Sequence, residues 1–75
     1  MTYVYGYDGC IYCKQATMLL EQKRISFTYY DIKDPALKNK LTFLKDSGLT
    51  TVPQIFINDN HIGGFDELAS LLENT

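Results

Sequence analysis

The chain's only two cysteines, Cys10 and Cys13, lie three positions apart within Asp8-Gly9-Cys10-Ile11-Tyr12-Cys13-Lys14. This stretch falls where a β-branched and aromatic segment gives way to one with helical periodicity. In the first turn of a helix, two such residues share a side and can close a small disulfide ring with little backbone movement. They are not equivalent. Cys10, at the N-cap or first helical position, meets unpaired amide N–H groups and the positive end of the helix dipole, both of which favour a thiolate. Its pKa is therefore expected below the free-thiol value of about 8.5, with Lys14 reinforcing the shift and Asp8 opposing it. Cys13, one turn further in, is expected to be less exposed and suited to attacking a mixed disulfide on Cys10 from within the protein. The pair reads as a thiol redox site, with Cys10 as nucleophile and Cys13 as resolving thiol.

Three other uses of the pair compete. A purely structural disulfide across so short a loop constrains the unfolded chain very little. A structural zinc site needs four ligands, and beyond the cysteines the sequence offers His61 and carboxylates but no second paired motif. Burial as two small apolar side chains suits a helix interior, but Asp8-Gly9 sets the pair at a turn, where exposure is expected.

Seventy-five residues make one small domain, 1–75, that buries only about 60% of its unfolded surface. A net charge of -2 gives no basic footprint for nucleic acid or an anionic membrane surface. No apolar run approaches the roughly 18 residues that span a bilayer, and Met1-Thr2-Tyr3-Val4-Tyr5 lacks the regions of a signal peptide, so a cytoplasmic location is expected. In that reducing compartment a lone cysteine pair is more often catalytic or metal-binding than structural.

The pattern along the chain predicts βαβαββα, with helices covering a small mixed sheet. Thr2 to Tyr7 reads as a strand ending at Asp8-Gly9. From Ile11 to Arg24, Tyr12, Ala16, Leu19, Leu20 and Lys23 recur at helical spacing. Ser26 to Ile32 reads as a second strand, parallel to the first. Asp34-Pro35 then supplies an N-cap and a first helical proline, Leu37, Leu41 and Leu44 mark one helix face, and Gly48 ends it in a left-handed cap. Thr50-Thr51-Val52-Pro53 leads into a third strand, Gln54-Ile55-Phe56-Ile57, with its proline at the start. Asn58-Asp59-Asn60 turns the chain back through His61-Ile62 as a hairpin. Gly63-Gly64 opens a last helix whose apolar stripe is Phe65, Leu68, Ala69 and Leu72.

Three stretches now carry a resemblance. Cys10-Ile11-Tyr12-Cys13 after the first strand, Thr51-Val52-Pro53-Gln54 before the third and Gly63-Gly64-Phe65-Asp66 before the last helix together resemble the glutaredoxins, over essentially the whole chain. Each motif alone is weak, whereas all three in this order and at these separations are specific. Val4-Tyr5-Gly6-Tyr7-Asp8 and His61-Ile62-Gly63-Gly64-Phe65-Asp66 look particularly like the short members encoded by some bacteriophages. The resemblance implies a thioredoxin-like fold with a four-stranded sheet, and a glutathione-dependent thiol-disulfide oxidoreductase. It also implies a monomer with no bound cofactor or metal, glutathione as co-substrate, and acceptors such as ribonucleotide reductase.

The same resemblance gives each matched position a role. It implies a cis Val52-Pro53 peptide, with the Val52 backbone offered for strand-like pairing with the cysteinyl part of glutathione beside Cys10. Thr51 is implied at the edge of that groove and Tyr12 along its border. Gly63 and Gly64 permit close approach, and the N–H groups of Phe65 and Asp66 can hold the γ-glutamyl carboxylate. Plainer readings stand beside these: Pro53 as a simple strand start, Asp66 as a helix cap, Tyr12 as a core aromatic. His61 reads as a turn or strand residue, since thiolate exchange requires no base.

The chain also departs from the family pattern. Ile11 stands where many members have proline, and Tyr7 and Leu49 stand where members often carry a cation for the glycyl carboxylate of glutathione. Lys14 and Lys45 are the cations left to replace them. Two further functions follow from these departures: a hydrogen donor reduced by thioredoxin reductase, and a scaffold in which Cys10, glutathione and a second subunit hold an iron-sulfur cluster.

Overall fold

The computed structural model describes residues 1–49 and 51–73. The strands are β1 (Thr2–Gly6), β2 (Thr28–Asp31), β3 (Gln54–Ile57) and β4 (Asn60–Gly63), and the helices are α1 (Ile11–Gln22), α2 (Lys38–Asp46) and α3 (Phe65–Glu73). Their order is the βαβαββα of the sequence reading. The four strands form one mixed sheet in the order β2-β1-β3-β4, with β1 parallel to β2 and antiparallel to β3, and β3 antiparallel to β4.

Alternation along β1 divides the sheet into two faces. Val4 points to one, where it joins Ala16 and Leu20 of α1, Ile55 of β3, and Leu68 and Leu72 of α3 in the hydrophobic core. Each large aliphatic side chain buried there contributes about 1.5–3 kcal/mol relative to exposure. Tyr3 and Tyr5 point the other way and stack on Tyr30, at centroid separations of 5.8 and 5.1 Å, while Phe56 meets Tyr5 edge-on at 5.8 Å. Leu44 of α2 is buried outside the first cluster.

Several boundaries differ from expectation for identifiable reasons. β1 ends at Gly6, and β2 runs from Thr28 to Asp31 rather than from Ser26 to Ile32, because β1 offers partners only from Tyr3 to Gly6. Phe27 instead packs against the core from the preceding loop. α1 stops at Gln22, where Arg24 turns left-handed at φ 59° and Ile25 N–H donates to the Leu20 carbonyl at 2.9 Å. The side of α1 that is buried runs through Cys13, Ala16 and Leu20, whereas Tyr12 and Lys23 of the expected stripe are exposed. A 3-10 turn, Pro35–Leu37, precedes α2, with Asp34 Oδ1 accepting from Ala36 N–H at 3.0 Å.

Other local expectations are met. Gly48 takes a left-handed φ of 76°, and Leu49 N–H donates to the Leu44 carbonyl at 2.9 Å, closing the end of α2. Asn58 and Asp59 are both left-handed, at φ 50° and 68°, the conformation that a two-residue hairpin turn demands. Asn60, expected in that turn, begins β4. Thr50 lies outside the described residues. Among the described residues no helix is long and apolar enough to cross a membrane.

Candidate active site

The loop Tyr7-Asp8-Gly9 delivers the chain from the buried end of β1 to the first turn of α1. Gly9 adopts φ 94°, and Cys10 N–H donates back to the Tyr7 carbonyl at 3.3 Å. A residue with a side chain is strained at that φ, which accounts for glycine before the first cysteine. Cys10 is thereby set at the N-cap of α1 with extended φ and ψ of -83° and 115°.

Cys10 and Cys13 are joined as a disulfide, their Cα atoms 5.2 Å apart. Their surroundings differ as the spacing suggested. Cys10 is partly exposed, and its Sγ receives the Cys13 amide N–H at 3.2 Å, the contact by which a helix N-terminus stabilises a thiolate. Cys13 is 1% exposed. Cys10 is therefore the sulfur within reach of a partner from outside, and Cys13 is enclosed by the protein. Ile11, 71% exposed, leaves an aliphatic surface beside the outer cysteine.

Two concavities reach the first turn of α1. One, of about 390 Å³, gathers Tyr12, Thr51, Val52, Pro53, Gly64, Phe65 and Asp66 along one groove. Tyr12 is 59% exposed, with its ring centroid 6.3 Å from that of Phe65 across the groove. The Val52-Pro53 peptide is cis. The cysteines themselves line the second concavity, of about 780 Å³, with Tyr7, Asp8, Lys14 and Tyr29.

Side chains outside the sequence-derived site hold this groove in shape. Gln54 is buried at the start of β3. Its Nε2 donates to the Thr51 carbonyl at 2.8 Å and to Thr51 Oγ1 at 3.2 Å, and its Oε1 faces His61 Nε2 at 2.6 Å. Since that oxygen only accepts, the imidazole nitrogen is the donor, and His61 serves as a strut between β4 and the loop. At the other wall Gly63 takes φ 120°, and Gly64 N–H donates to Glu67 Oε1 at 3.2 Å. The carboxylate that reaches back over the start of α3 is thus Glu67, while Asp66 faces solvent.

Charge around the site is set by the β1–β2 register. Gly6 pairs with Asp31, so the segments after both strands emerge side by side, and Lys33 Nζ lies 4.5 Å from the centroid of the Tyr7 ring. Lys14 lines the larger concavity, and Lys45 sits in the last turn of α2. Burial, then the nearby carboxylates of Asp31 and Asp8, raise the Tyr29 phenol above its ordinary range. No three His, Cys, Asp or Glu side chains gather into a metal-binding group among the described residues.

Comparison with known proteins agrees with this geometry. Residues 2–62 match the family model described as Glutaredoxin. The chain is 46% identical over 68 residues to glutaredoxin 3 of Escherichia coli K12, covering 91% of this chain and 81% of that one. It superposes on the crystal structure of Francisella tularensis glutaredoxin 1 complexed with cacodylate with a TM-score of 0.79 and 35% identity, covering 97% of this chain and 92% of the other. A buckwheat glutaredoxin-glutathione complex, at 24% identity, shares the fold with a TM-score of 0.82 over 97% of this chain and 68% of its own.

Proposed function

The chain belongs to the glutaredoxin family, thiol-disulfide oxidoreductases of thioredoxin-like fold, and on that premise we propose that glutathione is its reductant and that it acts on protein disulfides and glutathione mixed disulfides. The observation that carries the reading is the single groove bordered by Tyr12, between the two cysteines in sequence, which joins the Thr51-Val52-Pro53 edge to the N-terminus of α3. Glutathione lies there with its cysteinyl backbone along Val52 and its γ-glutamyl carboxylate at the Phe65 and Asp66 amides, where helix N-terminal N–H groups favour an anion. Tyr12 closes the outer side. The cation absent from position 7 is supplied by Lys33, held over the Tyr7 ring.

Catalysis follows from the unequal cysteines. The Cys10 thiolate attacks a disulfide of the acceptor, forming a mixed disulfide and releasing one acceptor thiolate. Cys13 then attacks Cys10 Sγ, releasing the second acceptor sulfur and leaving the Cys10-Cys13 disulfide. Two glutathione thiols return the pair to the dithiol in two exchanges, ending as glutathione disulfide. For a glutathione mixed disulfide, Cys10 suffices, since a second glutathione can resolve the adduct. Ribonucleotide reductase belongs to the disulfide class this cycle serves, and we place the protein in the cytoplasm as a monomer.

The test is NADPH consumption by glutathione reductase, with glutathione and a small mixed disulfide, with and without this protein. Strong acceleration is expected. No acceleration from folded, reduced protein overturns glutathione dependence and moves the electron source to thioredoxin reductase.

A further inference from the structure

Opening the Cys10-Cys13 disulfide leaves a charge on a sulfur that the helix start does not serve. The first-turn amide contact goes to Cys10 Sγ, while Cys13 is 1% exposed beside the apolar core. Burial of that kind disfavours a thiolate. The space around Cys13 nevertheless holds a polar group from elsewhere in the chain. Gly6, at the end of β1, lacks a side chain, and the point where its Cβ would stand is 2.6 Å from Cys13 Sγ and 2.7 Å from the Tyr29 hydroxyl. Tyr29 pairs with Val4 in the β1–β2 register, so its ring lies on the core face of the sheet, reaching over Gly6 toward α1. Tyr29, Cys10 and Cys13 line the same concavity.

We propose that the Tyr29 hydroxyl is the hydrogen-bond donor that receives the Cys13 sulfur when the disulfide is opened. A thiolate of the reductant attacks Cys10 Sγ and forms a new S–S bond to it. The Cys10-Cys13 bond breaks, and its electron pair stays on Cys13 Sγ. Tyr29 keeps its proton and directs the O–H at the departing thiolate, which replaces the water that the buried sulfur lacks. The phenol suits the task because burial and the Asp31 and Asp8 carboxylates hold it protonated. Asp31 Oδ1 is itself engaged by Lys33 N–H at 2.8 Å. The same Tyr29 contact lowers the barrier to opening and stabilises the Cys13 thiolate that opening leaves.

This inference rests on dithiol exchange by the pair and not on glutathione as the reductant, so dithiothreitol is the probe. Oxidised wild-type protein and Tyr29→Phe are mixed with dithiothreitol, the reaction is quenched by alkylation, and opened disulfide is counted by mass. A hydrogen bond to a charged group supports a slowing of about tenfold or more in Tyr29→Phe. In a Cys10→Ser background, the pKa of the Cys13 thiol, followed through its Cβ chemical shift, rises on adding Tyr29→Phe. Tyr30→Phe loses a hydroxyl from the opposite face of the same strand, where it stacks on Tyr3 and Tyr5, and keeps the wild-type rate. The ring of Tyr29, 39% exposed, is retained in the phenylalanine variant, and an unchanged melting temperature confirms the fold. A wild-type opening rate together with a wild-type Cys13 pKa in Tyr29→Phe overturns the proposal, even if the glutathione assay succeeds.

Discussion

Replacing Gly6 with alanine adds one carbon to the space over the end of β1. Gly6 has none of the left-handed φ that explains Gly9, Gly48 and Gly63, so the effect of the added carbon is steric alone. That Cβ would stand 2.6 Å from Cys13 Sγ, 2.7 Å from the Tyr29 hydroxyl and 3.1 Å from Cys13 Cβ, all inside the roughly 3.5–4.0 Å of normal contact. Tyr29 lies on an edge strand and can swing outward. Cys13 cannot, since it is buried in α1 and tied to Cys10, so β1 and α1 must move apart around Val4 and Ala16. Overpacking of this kind costs about 1–3 kcal/mol, and a value near 2 kcal/mol lowers the melting temperature of a chain this size by roughly 8–16 °C. Thermal unfolding of the oxidised protein followed by circular dichroism measures it. Reduction frees the Cys13 sulfur to change rotamer, so the loss should shrink in the dithiol form. Tyr29→Phe removes one of the two obstructions, and the cost of Gly6→Ala in that background should be smaller. A melting temperature within about 2 °C of wild type for oxidised Gly6→Ala would refute the steric reasoning.

Other outcomes follow from the same contacts. Cys10→Ser should abolish exchange, whereas Cys13→Ser should spare reduction of glutathione mixed disulfides and stop dithiol turnover; full activity in Cys10→Ser removes it as nucleophile. Gln54→Leu removes the hydrogen bonds that tie Thr51 to His61 and should cost about 0.5–1.5 kcal/mol in denaturant unfolding, with a raised KM for glutathione. An unaltered KM would show that the strut does not shape the groove. Because the Tyr29 phenol is raised, the unfolded chain loses that proton first as pH climbs past about 10, so Tyr29 contributes stability below that pH that is lost above it. Alkaline unfolding should begin at higher pH in Tyr29→Phe, and ultraviolet titration of the folded variant should lack one tyrosine that ionises above the ordinary range.

The sequence by itself determined the order of elements and the chemistry of the cysteine pair, because both depend on local rules. A strand running into Asp8-Gly9, two cysteines at helical spacing, glycine at 48 and Asn58-Asp59 between apolar runs act over a few residues, and the structure places turns and caps there. The motifs that border the groove were also legible, since each is contiguous. What the tertiary structure decided are contacts between distant segments. Periodicity put Tyr12 and Lys23 on the apolar stripe of α1, but packing against β1 and α3 buries Cys13 and turns Tyr12 toward Phe65. Nothing near Tyr7 announces Lys33, nothing near Cys13 announces Tyr29, and the Gln54 strut needs the hairpin to bring His61 back. These pairings arise from the strand order β2-β1-β3-β4 and its register. Register sets the face to which every side chain points, and it is chosen by the burial of the whole core rather than by any short stretch of chain.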